Sequence, residues 1–277
     1  MLKRLITHVC LTLGLSMLLL HLFQRHFIYF PTQSIPTLEK YHATDMRIVS
    51  FQTYDDVHLS SWYKPASHHQ ETVLILHGNA GHVGDRMPLA RQFIQAGYGV
   101  LLLEYRGYGG NEGSPSELGL YWDGQAALHF LYQQGVKPNQ VVLYGESLGT
   151  GVATELATEH PVCAVILQSP FTSLVDLARY HYPWILVSLR DPFNSLGRMK
   201  QIHSPILVLH GKRDQTVPFT EGVAIFNQAN DPKKMVVFDE QNHNDLWRAP
   251  GFFEKIIHFL NAHGCVEARR TDNVVFL

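Results

Sequence analysis

Val141-Val142-Leu143-Tyr144 runs without a break into Gly145-Glu146-Ser147-Leu148-Gly149, and Thr150-Gly151-Val152-Ala153 follows. Four consecutive apolar residues ahead of a turn read as a strand buried on both faces. Leu148 to Glu159 reads as a helix. A serine at such a strand-to-helix turn matches the pattern G-x-S-x-G. The turn is so sharp that the serine backbone is strained, and its neighbours two positions away must be small, as Gly145 and Gly149 are. Gly151 and Ala153 continue the small face and let the helix approach the sheet. The five-residue pattern alone arises by chance in glycine-rich loops; the strand before it and the helix after it give this instance its meaning.

The same alternation extends outward in both directions. Val73–Leu76, Val100–Leu103, Ala164–Leu167, Ile206–Leu209 and Met235–Phe238 are further short apolar runs. Helical stretches separate them at Met87–Gln95, Glu117–Gln134, Leu174–Val187, Phe219–Asn227 and Phe252–His263. Met46-Ile48-Phe51 and Val57-Leu59-Trp62 read as a hairpin around Tyr54-Asp55-Asp56. Repeated strand–helix units imply an α/β fold, a mostly parallel sheet with helices on both faces. In such sheets function gathers in the loops after the carboxyl ends of the strands.

A serine hydroxyl is a poor nucleophile at neutral pH; it needs a base, and the base needs an orienting acid. Asp214 lies just past the strand Ile206–Leu209, and His243 just past Met235–Phe238. Ser147, Asp214 and His243 therefore occur in the order Ser, Asp, His, each after its own strand. Asp239 and Glu240 are rival acids, but they sit too close to His243 in sequence to support its ring. Asp245 reads as a loop or capping residue. The oxyanion of a tetrahedral intermediate needs preorganised main-chain N–H donors. Leu148, the residue after the nucleophile, is one expected donor. The second is expected from His77-Gly78-Asn79-Ala80-Gly81, with Asn79 preferred and Ala80 next. His77 reads as a structural hydrogen-bonder beneath that loop. Arg106-Gly107-Tyr108-Gly109-Gly110-Asn111 lacks phosphate-loop spacing and reads as a structural loop beside the site.

The N-terminus tells a different story. Between Arg4 and Arg25 no residue carries a fixed charge, and Leu5 to Gln24 is a leucine-rich run of about twenty residues, enough for a helix to cross a bilayer. No small-x-small cleavage site follows Leu20, and His8-Val9 do not make Cys10 a lipidation site, so a retained anchor is expected. Phe27, Tyr29 and Phe30 suit an interfacial aromatic belt. Lys3, Arg4 and the terminal amine outweigh Arg25, which places the N-terminus in the cytoplasm and the rest on the non-cytoplasmic side of a single-pass protein. The division is then a membrane anchor over 1–30, a linker over 31–45, a catalytic domain over 46–264 and a polar tail over 265–277.

With a formal net charge of −2, the chain has no basic excess to grip nucleic acid, and no nucleic-acid partner is expected. None of its seventeen histidines falls in a metal-binding helix pattern, and no metal or cofactor is expected. Cys10, Cys163 and Cys265 lack ligand or redox spacing and are expected to be free.

His77-Gly-Asn-Ala-Gly81, Tyr105-Arg-Gly-Tyr-Gly109, Gly145-Glu-Ser-Leu-Gly149, Ser169-Pro-Phe-Thr172, His210-Gly-Lys-Arg-Asp214 and Asn242-His-Asn-Asp245 together resemble the membrane-anchored α/β-hydrolase-domain branch of the serine hydrolases. Some of that branch are protein depalmitoylases. The resemblance spans about Met46 to His263. It implies a triad of Ser147, Asp214 and His243 with oxyanion donors at Asn79 and Leu148. Glu104 and Asn111 depart from the family, which usually has Asp and Ser there. The expected substrate is a small or acylated ester or thioester, met at the membrane. A peptidase or amidase using the same triad, and a silent membrane-bound interaction module, are the alternatives. About forty residues separate Leu167 from Ile206, room for a small apolar flap with Tyr180, Tyr182, Trp184 and Phe193 but not for a lid domain; packing of these aromatics in the core is the equal alternative.

Overall fold

The computed structural model describes residues 2–68, 71–184 and 188–263. Eight strands form one sheet: β1 Arg47–Gln52, β2 His58–Lys64, β3 Thr72–Leu76, β4 Gly99–Leu103, β5 Val141–Glu146, β6 Ala164–Gln168, β7 Ile206–Gly211 and β8 Lys233–Phe238. Their order across the sheet is β8-β7-β6-β5-β3-β4-β2-β1. The expected hairpin is β1–β2, and β2 also joins β4 antiparallel. The remaining pairs are parallel. This is the α/β-hydrolase fold.

The apolar runs are strands for the physical reason that marked them. β3, β4, β6 and β7 are buried at every position, because helices cover both faces. On one face pack α4 (Glu117–Gln133), α5 (Leu148–Glu159) and α8 (Phe219–Gln228), through Leu128, Leu156 and Ile225. On the other pack α3 (Met87–Gln95) and α9 (Phe252–His263), through Phe93 and Phe259. The chain passes from β3 to β4 on one side and reaches β5 on the other, so the strand order reverses around β3. Ligand sites in open parallel sheets lie at such a reversal.

The region between β6 and β7 differs from the expected single helix over 174–187. Helix α6 covers Leu174–His181, the short α7 covers Ser195–Arg198, and 185–187 lie outside the described residues. Phe193 is fully buried against Tyr121 and Phe171, whereas Tyr180, Tyr182 and Trp184 face solvent. The expected aromatic group thus divides into a core residue and a surface set.

At the N-terminus, α1 (Leu2–Phe23) is followed by α2 (Arg25–Ile28). Lys3–Phe23 is long and apolar enough to cross a membrane, and its most apolar stretch has no buried residue; only its last turn, at Leu20 and His21, is partly covered. The segment after it lies on the sheet domain: Phe30 and Pro31 pair in parallel with Ala80 and Gly81, Ala43 and Met46 are buried, and Arg91 holds Asp45.

The expectation for the cysteines is also corrected. Cys10 is free, but Cys163 is disulfide-bonded rather than free. Cys265 and the expected polar tail lie outside the described residues. Sequence spacing could not reveal the bond, because disulfide partners meet through the fold.

Candidate active site

The serine turn has the geometry its sequence demands. Ser147 has φ 50° and ψ −114°, a region that non-glycine residues rarely occupy. Its N–H donates to the Gln168 carbonyl at 2.9 Å, which ties the turn to β6. A Cβ on Gly149 would stand 2.0 Å from the Leu76 carbonyl oxygen, and one on Gly145 would stand 2.6 Å from the Gly149 oxygen. Only glycine lets α5 start this close beneath the end of β3.

His243 and Asp214 reach Ser147 from the loops after β8 and β7. His243 Nδ1 is 2.7 Å from Asp214 Oδ2, and His243 Nε2 is 3.0 Å from Ser147 Oγ. A carboxylate only accepts, so Nδ1 carries the proton and Nε2 is left to accept from the serine hydroxyl. The second Asp214 oxygen accepts from the Thr216 and Val217 N–H groups at 2.9 and 2.8 Å. Burial pushes the Asp214 carboxyl up, but the hydrogen bond and charge of His243, with the Val217 N–H, hold it below the ordinary aspartate range. His210 lies 3.5 Å away beneath it, and burial pushes that imidazole down. The sequence-derived rivals are elsewhere: Asp239 and Glu240 pair with Lys212 and Arg213 at the surface. Asp245 accepts from the Asn242 N–H at 2.7 Å and so shapes the loop that carries His243.

Asn79 and Leu148 both line the same cavity as Ser147 and His243. Among the described residues neither main-chain N–H has an internal acceptor. Leu148 opens α5, where the first N–H groups of a helix are unpaired. The Asn79 peptide is held from behind: its carbonyl accepts from the Phe30 N–H at 3.0 Å and the Tyr108 hydroxyl at 2.9 Å. Its side-chain amide donates to the Ile28 carbonyl at 2.8 Å. His77 lies under this loop, buried between Tyr105 and Tyr108, with Nδ1 2.7 Å from the Gly78 oxygen and Nε2 3.3 Å from Glu104. Glu104 also accepts from the Val83 N–H, so the residue that departs from the family acts in support of the loop. The Arg106 loop has a structural use: Arg106 pairs with Asp55 and buried Asp123, and Asn111 bonds Ser60 on β2.

Three contributors had no local sequence signal. Arg86 donates two hydrogen bonds to Glu146, at 3.0 and 3.1 Å, and a third to the Ala80 carbonyl at 2.9 Å. It thus joins the residue before Ser147 to the loop that carries Asn79. Burial pushes the Glu146 carboxyl up, but the charge and hydrogen bonds of Arg86 hold it below the ordinary range. Gln168 is the second, through the carbonyl that accepts from the Ser147 N–H. The N-terminal segment is the third: Leu20, Gln24, Phe27, Ile28 and Phe30 form part of the cavity wall. The cavity measures about 1200 Å³ and is faced by Leu174 and Leu177 of α6 and by Tyr182 just after it. No group of metal-ligating side chains occurs among the described residues.

A strained serine after a central strand, a histidine and aspartate from later loops, and an apolar cleft define a serine-hydrolase-type α/β hydrolase. The family described as serine aminopeptidase, S33 matches residues 67–197, and the chain belongs to this α/β-hydrolase family. It is similar to the uncharacterized protein Rv2307c of Mycobacterium tuberculosis, at 40% identity over 80% of this chain and 81% of that one. It is also similar to human alpha/beta hydrolase domain-containing protein 17B, at 31% identity over 69% of this chain and 66% of that one. The solved structure of the Pyrococcus furiosus esterase Pf2001 superposes with a TM-score of 0.70, covering 85% of this chain and 97% of that one at 20% identity. The resemblance drawn from the motifs holds.

Proposed function

We propose that the protein is a membrane-tethered carboxylic-ester or thioester hydrolase that works through an acyl-enzyme on Ser147. His243 is the base and Asp214 orients it. The observation that carries this reading is the unbroken hydrogen-bond chain from Asp214 through His243 to Ser147 at the wall of an apolar cavity.

Ser147 Oγ attacks the acyl carbon while its proton passes to His243 Nε2. The carbonyl oxygen becomes an oxyanion, which accepts hydrogen bonds from the N–H groups of Leu148 and Asn79. Collapse breaks the bond to the leaving oxygen or sulfur, which takes the proton from His243. Water then repeats the sequence on the acyl-enzyme, His243 accepts its proton, and the acid is released with Ser147 restored. Phe171, Leu174 and Leu177 favour an apolar acyl group. A silent interaction module would have no use for this intact proton path.

Residues 1–30 are the anchor, 31–45 the connecting segment, 46–264 the catalytic domain and 265–277 the tail. Lys3 and Arg4 favour a cytoplasmic N-terminus, with catalysis on the opposite side. The disulfide at Cys163 supports that side, since such bonds persist in oxidising compartments.

Aminopeptidase or amidase activity is the second reading, favoured by the description of the matching family. Hydrolysis of matched acyl esters, acyl thioesters and aminoacyl amides by wild type and Ser147→Ala separates the two. Ser147-dependent turnover of esters or thioesters above amides is expected; the reverse order would install the second reading, and turnover surviving in Ser147→Ala would remove both.

A further inference from the structure

The cavity over Ser147 is walled partly by the chain's own N-terminal elements, and its rim is aromatic. Phe27, Phe30 and Tyr182 line it and are yet 66%, 55% and 53% exposed, so they stand at its mouth. Tyr180 and Trp184 continue the rim at 63% and 75% exposure, and the Tyr182 and Trp184 rings are 6.3 Å apart. No acidic residue occurs among the lining residues.

This rim is fixed to the end of α1. Arg25 donates to both oxygens of buried Asp191, at 2.8 and 2.9 Å. Gln24 accepts from the Arg190 N–H at 2.7 Å, and His21 Nδ1 lies 3.1 Å from the Ser188 oxygen. These bonds hold residues 188–191 against the last turn of the apolar helix, which ends at Phe23, and the start of α2. Phe27 on α2 and Phe30 just after it follow directly on that helix, which sets the height of this side of the rim relative to it. If α1 crosses the bilayer, the rim lies where hydrocarbon meets headgroups.

We propose that the end of α1, α2 and the aromatic edge of α6 form a bilayer-facing mouth, through which an acyl chain passes sideways from the membrane to Ser147. The occupant of this surface is the phospholipid interface. Tyrosine and tryptophan rings have an apolar body and a polar tip, which suits that layer. Left in water, the same rings expose apolar area at a free-energy cost. Continuity with the exposed apolar helix distinguishes a lipid occupant from a protein one. The inference rests on the membrane-anchor reading and goes beyond it. A span needs only a hydrophobic helix, whereas this proposal orients the catalytic domain against the lipid.

The test uses the full chain in phosphatidylcholine vesicles, with Trp184→Phe as the control for the other tryptophans. Lipid brominated near the glycerol end of its acyl chains is expected to quench a fraction of the emission, and that fraction disappears in Trp184→Phe. Carbonate washing is done in parallel. Protein washed off the vesicles would overturn both the anchor and the mouth. Protein retained without Trp184 quenching would overturn the mouth alone. Trp184 shielded only at high protein-to-lipid ratio would overturn it in favour of a second copy. As an activity readout, Tyr180→Ser with Trp184→Ser is expected to slow hydrolysis of a long-chain ester held in vesicles about tenfold. Turnover of a water-soluble short-chain ester should stay within about twofold. Equal loss on both substrates would also overturn the proposal.

Discussion

The side-chain amide of Asn79 donates to the main-chain carbonyl of Ile28 at 2.8 Å, so the loop proposed to offer an oxyanion donor is fastened to the segment that leaves the apolar N-terminal helix. Phe30 adds a second tie to the same residue through the Asn79 carbonyl. Asn79→Ala keeps the donor N–H but removes the first tie. We expect kcat on a soluble ester to fall about tenfold, less than the hundredfold or more seen when an oxyanion donor is lost outright. KM should change little. An unchanged kcat in a folded variant would show that the loop needs no such support.

Arg86→Met strips Glu146 of its partner and leaves a largely buried carboxylate. Removing one member of a buried pair costs about 3–5 kcal/mol, and partial exposure of Glu146 puts the expected loss near the low end, about 3 kcal/mol by urea unfolding. Adding Glu146→Gln to that variant should recover at least half of the loss. Failure of the double variant to recover would mean that Arg86 acts by packing rather than by charge.

Asp214→Asn should lower kcat about 10⁴-fold, because the amide no longer selects the histidine tautomer that can accept from serine. It also carries a pH signature. The folded-state carboxyl of Asp214 is held below its ordinary value, so it contributes stability above the ordinary aspartate range, and that contribution is lost as pH falls through the folded value. The stability gap between wild type and Asp214→Asn should therefore be widest near neutral pH and narrow on acidification. A gap that is constant from pH 7 to 3 would contradict the linkage.

Gly149→Ala should destabilise by about 3 kcal/mol, at the upper end of overpacking costs, since its Cβ would meet main chain and not a yielding side chain. Thermal unfolding reads this directly. A neutral Gly149→Ala would mean that α5 can move off β3 cheaply.

The sheet was legible because buried parallel strands write themselves as short continuous apolar runs, and α3, α5 and α9 match their expected spans end to end. Ser147, Asp214 and His243 were legible because each follows a strand, which makes their meeting a matter of topology. What the chain does not display locally are partnerships through space. Arg86 with Glu146 is one, and Arg25 with Asp191 is another, separated by 166 residues. The disulfide at Cys163 and the division of the α6 aromatics belong to the same class. The N-terminal run carried a membrane signal strong enough to hide its other use, as a wall of the cavity. Nothing in a hydrophobic helix distinguishes a plain anchor from one whose end lines the cavity that holds Ser147.

The claim that Ser147 is an activated nucleophile is tested most directly with a fluorophosphonate probe, which phosphonylates only a serine whose proton a neighbouring base can take. The full-length wild type should label, and Ser147→Ala, folded to the same melting temperature, should not. Labelling should also fall sharply in His243→Ala. Equal labelling of wild type and Ser147→Ala, or no labelling of a folded wild type, would contradict the account.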